Sequence, residues 1–360
     1  MNIFDAMERH GHEQVIFNYD KATGLKAIIA IHDTTLGPAL GGCRMWPYAS
    51  EEAALEDALR LSEGMTYKAA AAGLDYGGGK AVIIGNPLTD KSEALFRAFG
   101  RFLETLGGRF ITGEDVGTDG NDFVHAARET RYLVALPEAY GGSGDTGAVT
   151  SFGVLQAMRA GLMHRYGDDS LRGRRVAVQG LGKVGRQVVA RVVEAGAEVV
   201  VADIDPQAVG VVTAQYGVEP VDPWSILETP CDIFSPCALG SVITAETVER
   251  LRCAIVAGSA NNQLADERLG ERLRERGILY APDFITNAGG LLQVADELNG
   301  YRPERVRHRV EAIYDFLLTL FRESDARGIA TNRLALTLVE ERLKLYHDIH
   351  RIFTGGRSRT

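Results

Sequence analysis

Early in the chain the apolar residues follow a strand-like rhythm. QVIFNYD, a polar turn at residues 21–24 and LKAIIAIHD predict two strands of a sheet. Ser50 followed by Glu51 and Glu52 predicts a helix start, since a hydroxyl cap and early acids suit the N-terminal dipole. A second helix is predicted after Ser92. There Leu95, Phe99, Phe102, Leu103 and Leu106 form a stripe at helical spacing that Gly107 and Gly108 close. AVIIG and RFIT read as strands on either side of it, so this third of the chain is predicted to be an α/β domain.

Residues 141–150 (GGSGDTGAVT) carry almost no large apolar side chain and are read as a linker and cleft region. Beyond them RRVAVQ, AEVVVAD, CDIFSP, AIVAG and GILYAP alternate with helix-length segments, the pattern of buried parallel strands. Two amphipathic helices follow, over 303–322 and 331–348, and the tail GGRSRT is predicted to be disordered. The fold class is therefore α/β with two domains.

Composition narrows the function. With 45% hydrophobic and 24% charged residues the 360-residue chain reads as an ordinary globular protein, long enough for two domains. Its net charge of −9, with no basic stripe, leaves no electrostatic footprint for nucleic acid or an anionic membrane. No apolar run approaches the roughly 20 residues of a membrane span, and the N-terminus does not read as a signal peptide. Cys43, Cys231, Cys237 and Cys253 form no CxxC pair and fit buried thiols in a reducing cytoplasm. The histidines show no ligand spacing, so no metal site is expected.

The strongest local motif is Gly180-Leu181-Gly182-Lys183-Val184-Gly185. A strand precedes it, a Val184/Val188/Val192 stripe follows, and a second strand ends at Asp203, about 20 residues on. Gly180 permits the tight turn, Gly182 lets backbone approach a pyrophosphate, and Gly185 lets helix and strand pack. The helix N-terminus offers free N–H groups to phosphate. Asp203 suits a ribose hydroxyl and repels a 2′-phosphate, which favours NAD, although Asp205 lies on the same edge. Gly77-Gly78-Gly79-Lys80 resembles a P-loop but lacks the glycine at position 74 and the hydroxyl at 81, so its glycines need another explanation.

Lys68 and Lys80 sit among Ala, Gly, Leu and Tyr, where burial and mutual repulsion would bring an ammonium towards neutrality and make it a general base. A solvated surface lysine is the competing reading. Over essentially its whole length, the chain resembles the glutamate/leucine/phenylalanine/valine dehydrogenase family. The matching runs are LGPALGGCRMWPY, EGMTYKAAAAGLDYGGGKAVIIG, GRFITGEDVGT, VAVQGLGKVG, CDIFSPCALG, GSANNQ and APDFITNAGGLLQVADE, in that order.

The resemblance implies that Lys68 binds the substrate carboxylate beside the backbone of Gly41 and Gly42. It also implies that Lys80 activates water and that Asp115 shuttles protons. Asn262 would fix substrate and nicotinamide, and Thr150 would lie near the carboxamide. Leu40, Gly113, Leu291 and Val294 match the side-chain pocket. All are apolar, which argues against glutamate because a buried unpaired carboxylate is costly.

Gly113 with Leu291 is similar to phenylalanine-type members, Gly113 leaving room for a ring. Val149 departs from the proline those members often carry. Leucine-type or branched-chain members are the alternative, and an idle NAD-binding protein a remote one. By the same resemblance, residues 1–140 form a substrate and oligomerisation domain on which the helix at 331–360 packs back, residues 141–330 form the NAD-binding domain, and the protein is a homo-oligomer.

Overall fold

The computed structural model describes residues 2–349; the GGRSRT tail lies outside the described residues. The chain forms two compact units. One comprises Met1–Gly144, Glu297–Tyr301 and the chain from Leu338; the other comprises Asp145–Asp296 and Arg302–Thr337.

The first unit is a five-stranded sheet between helices. After α1 (Ile3–His10), β1 (Gln14–Asp20) and β2 (Leu25–Asp33) pair antiparallel through the turn read from the sequence. β3 (Ala39–Trp46), β4 (Gly77–Ile84) and β5 (Phe110–Glu114) complete the order β1-β2-β4-β3-β5, with β3 parallel to both β4 and β5. One face carries α2 (Glu51–Ala71), whose Ala54, Leu55, Ala58 and Leu59 pack on Ile28, Ala30 and Val82. The other carries α3 (Glu93–Glu104) and α4 (Gly120–Ala126) over a core of Phe96, Phe99, Phe110 and Phe123. Both predicted serine caps form: Ser50 accepts from Ala53 N–H and Ser92 from Leu95 N–H, each at 3.1 Å.

The second unit holds a six-stranded sheet in the order β11-β10-β9-β6-β7-β8, all pairs parallel. Its strands are β6 (Arg175–Gln179), β7 (Glu198–Ala202), β8 (Glu219–Pro220), β9 (Cys231–Pro236), β10 (Cys253–Val256) and β11 (Leu279–Tyr280). This is the doubly wound dinucleotide-binding order, whose direction reverses between β6 and β9. Its helices begin with α5 (Gly147–Tyr166), α6 (Gly185–Glu194), α7 (Pro206–Tyr216), α8 (Thr247–Arg250) and α9 (Leu269–Glu275). α10 (Asp283–Thr286), α11 (Gly289–Glu297), α12 (Pro303–Arg327) and α13 (Thr331–Ile349) follow.

Residues 141–150 are only partly a linker, because α5 begins inside them at Gly147, its N–H capped by Asp145 Oδ1 at 2.7 Å. In the later part of α13, Arg342 donates to Leu74 O at 3.1 Å and Asp75 Oδ1 at 3.0 Å, and Val339 packs on Leu36 and Ala70.

Under α2 three histidines of the first unit crowd together. His12 and His32 have ring centroids 4.9 Å apart, and His12 Nε2 is 2.7 Å from Ser62 Oγ. Burial, then the charges of His32 and His10, lowers the His12 pKa from 6.5 to about 4. A depressed histidine pKa means the unfolded chain binds the extra proton first. The stabilisation is complete above about 6.5 and disappears as pH falls towards 4, a loss of about 3 kcal/mol. Urea midpoints measured across this window should fall less steeply in His12→Gln than in the parent; equal slopes would remove His12 from the account.

Among the described residues no helix is long and apolar enough to cross a membrane, and no group of His, Cys, Asp and Glu is placed to hold a metal ion. All four cysteines are free, and burial pushes the Cys43, Cys231 and Cys253 thiols up, Cys231 to about 12.

Candidate active site

Lys80 lies in the middle of β4, the central strand of its sheet, and is only 5% exposed. The three glycines before it have a packing role. A side chain at Gly78 would put Cβ 2.1 Å from Thr66 Oγ1 and 2.2 Å from Thr66 N. At Gly79 it would meet the Phe110 ring at 2.6 Å, and at Gly77 the Asp33 carbonyl at 2.0 Å. The run that mimics a P-loop is a strand in which Gly77 and Gly79 make room for the Asp33 and Gly37 backbone and for the Phe110 ring, and which is bare at Gly78 so that α2 can lie directly upon it. That contact sets the depth at which the Lys80 ammonium sits.

Asp115 follows β5 and meets Lys80 across the sheet, Nζ to Oδ2 at 2.8 Å. Gly42 on β3 admits it, since a Cβ there would lie 2.8 Å from Asp115 Cβ. Thr118 Oγ1 accepts from Asp115 N–H at 3.0 Å and donates to Cys43 O at 2.8 Å, which fixes the turn. Arg44 Nε donates to the same Oδ2 at 3.2 Å; among the described residues no hydrogen bond reaches Oδ1. Burial pushes the Asp115 carboxyl up, but Lys80 and then Arg44 outweigh it and hold the group below the usual carboxylate range. Lys80 and Asp115 thus form a close ion pair in which the Lys80 charge favours the ionised Asp115 carboxylate.

Behind Arg44 stands Asp57 of α2. Arg44 Nη1 donates to Asp57 Oδ2 at 2.8 Å, Tyr48 O–H to the same oxygen at 2.6 Å, and Arg60 Nη2 to Oδ1 at 2.9 Å. Arg44, Asp57 and Tyr48 escape sequence reasoning. One signal was available: Gly42 and Arg44 are two apart on β3, so they share the face that receives Asp115.

Lys68 stands in the last turn of α2, half-buried and engaged with its surroundings. Leu40, Gly41 and Gly42 pair with Ile111, Thr112 and Gly113. The room expected at Gly113 is already taken: a Cβ there would lie 2.5 Å from Val134 O and 3.2 Å from Ala135 Cβ. Ala135 adopts a left-handed φ of 59°, with its N–H on Glu297 Oε2 at 2.8 Å. Glycine at 113 therefore lets the 133–135 segment lie against β5. Its influence on a substrate pocket runs through that segment.

In the second unit the glycine loop meets each demand of a dinucleotide cradle. Gly180 has φ +97°, and a side chain there would strike Ala238 N at 2.6 Å. Gly185 allows its helix to approach within 1.9 Å (would-be Cβ to Gly180 O). At Gly182 a Cβ would meet nothing within 4 Å, so the loop presents open backbone where a pyrophosphate must approach. α6 starts at Gly185 after Val184, with no side-chain cap on its first N–H groups. Asp203 Oδ2 accepts from Leu181 N–H at 2.6 Å and Oδ1 from Asp205 N–H at 2.9 Å, so it is anchored to the loop itself. Asp205 caps α7 through Gln207 N–H. Lys183 pairs with Asp145 at 3.1 Å, both half-exposed.

Thr150 lies in α5, its hydroxyl donating to Thr146 O at 2.9 Å. Val149 falls in the first turn of that helix, where a backbone N–H has no intrahelical partner, so valine and proline both fit. The start of α11 packs against this turn: a Cβ on Gly289 would lie 2.4 Å from Val149 O and one on Gly290 3.0 Å from Thr150 Oγ1. Thr150 thereby adjoins the helix that carries buried Leu291 and half-buried Val294. Asn262 is exposed and left-handed at φ 51°, a conformation asparagine tolerates and functional sites favour.

Known proteins match along nearly the whole chain. A family model described as "Glu/Leu/Phe/Val dehydrogenase, dimerisation domain" matches residues 12–132. A second, "Glutamate/Leucine/Phenylalanine/Valine dehydrogenase", matches 141–222 and 207–315. A phenylalanine dehydrogenase of Thermoactinomyces intermedius is 53% identical, over 98% of this chain and 96% of its own. A leucine dehydrogenase of the same organism is 52% identical, over 96% and 94%. The crystal structure of L-tryptophan dehydrogenase from Nostoc punctiforme superimposes with a TM-score of 0.84 at 44% identity, over 96% and 99% of the two chains.

Proposed function

Because the chain belongs to the glutamate/leucine/phenylalanine/valine dehydrogenase family and is an amino acid dehydrogenase, we propose that it catalyses the reversible NAD-dependent oxidative deamination of a hydrophobic L-amino acid, L-phenylalanine above others. The observation that carries this reading is the ion pair between buried Lys80 and half-buried Asp115, with Asp115 Oδ1 left for a substrate group.

Lys68 holds the substrate carboxylate beside the Gly41 and Gly42 backbone. Once the substrate is an imine, neutral Lys80 takes a proton from water as the oxygen bonds to the imine carbon. Asp115 carries a proton to the nitrogen, and the carbinolamine collapses to the 2-oxo acid as ammonia leaves. Residues 180–185 and Asp203 would hold NAD, with Thr150 and Asn262 as further contacts, and the bound cofactor would supply the two-electron acceptor. We assign residues 1–140 to substrate binding and assembly, with the later part of α13, from Leu338, returning to them, and 141–330 to the cofactor. A homo-oligomer in a reducing cytoplasm fits the dimerisation-domain match and the four free thiols.

The residues that match the family's side-chain pocket, Leu40, Leu291 and Val294, are all apolar. A methylene-scale difference in such a pocket is worth about 1–3 kcal/mol. In a panel of L-amino acids assayed with NAD and with NADP, kcat/KM for phenylalanine should exceed that for leucine and valine by on the order of 10-fold. Glutamate should be inert, and NADP poor against the Asp203 carboxylate. A leucine-type preference is the second reading. It is favoured by the near-equal identity to a leucine dehydrogenase and by the Val134 carbonyl filling the space beside Gly113. Higher kcat/KM for leucine would establish it.

A further inference from the structure

Arg44 and Asp57 have no part in the chemistry assigned above, yet they form the half-buried wall behind Asp115. We propose that Arg44 is a positioning residue that fixes which oxygen of Asp115 meets the substrate, and that Asp57 sets how much of the Arg44 charge Asp115 feels. The inference rests on the reading of Asp115 as proton carrier.

Lys80 and Arg44 both approach Oδ2, which leaves Oδ1 as the oxygen open to a reacting amine. Arg44 makes this contact through Nε and uses Nη1 for Asp57, so one rigid guanidinium bridges two carboxylates. Asp57 cannot swing away, because Tyr48 holds one of its oxygens and Arg60 the other.

The two cations on Asp115 differ in kind. Lys80 must lose its charge to act as a base, whereas a guanidinium keeps its charge throughout the working pH range. When Lys80 is neutral, Arg44 is the cation that still orients the Asp115 carboxylate. The charged and titratable neighbours of this pair are Arg44 and the Cys43 thiol from β3, with Asp57 and Arg60 from α2 and Tyr48 beyond Arg44, and Asp122 from α4 on the Cys43 side.

Removing the Arg44 charge must raise the proton affinity of the Lys80–Asp115 pair, whichever member titrates, and removing the Asp57 charge must lower it. The test is the pH profile of kcat/KM for amino acid oxidation in the full chain. In Arg44→Gln the acid limb should move up by about one pH unit, with kcat reduced by on the order of 10²-fold from misplacement of Asp115. In Asp57→Asn the limb should move down, with KM for the amino acid close to the parent value.

A role confined to packing would lower activity without opposite displacements of the limb. Coincident limbs, or two shifts in one direction, would overturn the proposal. If Arg44→Gln fails to fold, Asp57→Asn still decides it, since removing that charge must move the limb down. Asp115→Asn run alongside separates the two levels. An inactive Asp115→Asn with unmoved limbs elsewhere rejects Arg44 and Asp57 alone, whereas a fully active Asp115→Asn rejects the proton-carrier reading together with this one.

Discussion

Lys80→Ala is expected to lower kcat/KM for the amino acid by on the order of 10²–10⁴-fold, the usual range for losing a positioned acid–base group. Dinucleotide affinity should stay at the parent value, because the glycine loop and Asp203 belong to the other compact unit. The substitution also leaves Asp115 with Arg44 as its remaining ion-pair partner, so stability should fall by about 1–3 kcal/mol. Steady-state kinetics, a cofactor titration and a urea curve read these three effects separately. Turnover within a few-fold of the parent would remove Lys80 from the chemistry.

The second large effect is expected at Gly78→Ala. Its Cβ would meet not a flexible tip but the helix backbone, Thr66 N at 2.2 Å and Ser62 O at 2.5 Å, besides Thr66 Oγ1 at 2.1 Å. Helix α2 must lift from β4. Overpacking of this kind costs about 1–3 kcal/mol, and more when backbone has to move. Lys80 is two residues away on the same face of the strand, so a displacement of about 1 Å would cost on the order of 10²-fold in rate. Gly64→Ala is the matched control. It lies on α2, meets nothing within 4 Å, and should stabilise by about 0.5–1 kcal/mol with activity intact. A melting temperature and a kcat/KM for each variant decide the matter, and parent-like values in Gly78→Ala would contradict the packing account.

The features readable from sequence were those written in short windows. Ser50 and Ser92 announce their helices within four residues, and the strand–glycine loop–helix order around 180–185 is local. Arg44 was not readable because its partners lie 13 and 71 residues away, and only strand pairing brings them together. The space beside Gly113 depends on the backbone of Val134, ordered in turn by Glu297 on Ala135. No local pattern reports such a chain of contacts. The start of α5 inside a glycine-rich stretch has a similar cause. Asp145 caps Gly147, and a Cβ at Gly147 would lie 2.8 Å from Gln187 Nε2, so low local helix propensity yields to tertiary packing. β8 spans two exposed residues, too few to leave an apolar pattern.

The most direct test of the central claim is to measure ammonia and reduced nicotinamide together as L-phenylalanine and NAD are consumed. Oxidative deamination predicts that the two products appear in equal amounts, and that both vanish in Lys80→Ala. Reduced cofactor without ammonia, or no reduction with any hydrophobic L-amino acid, would contradict it.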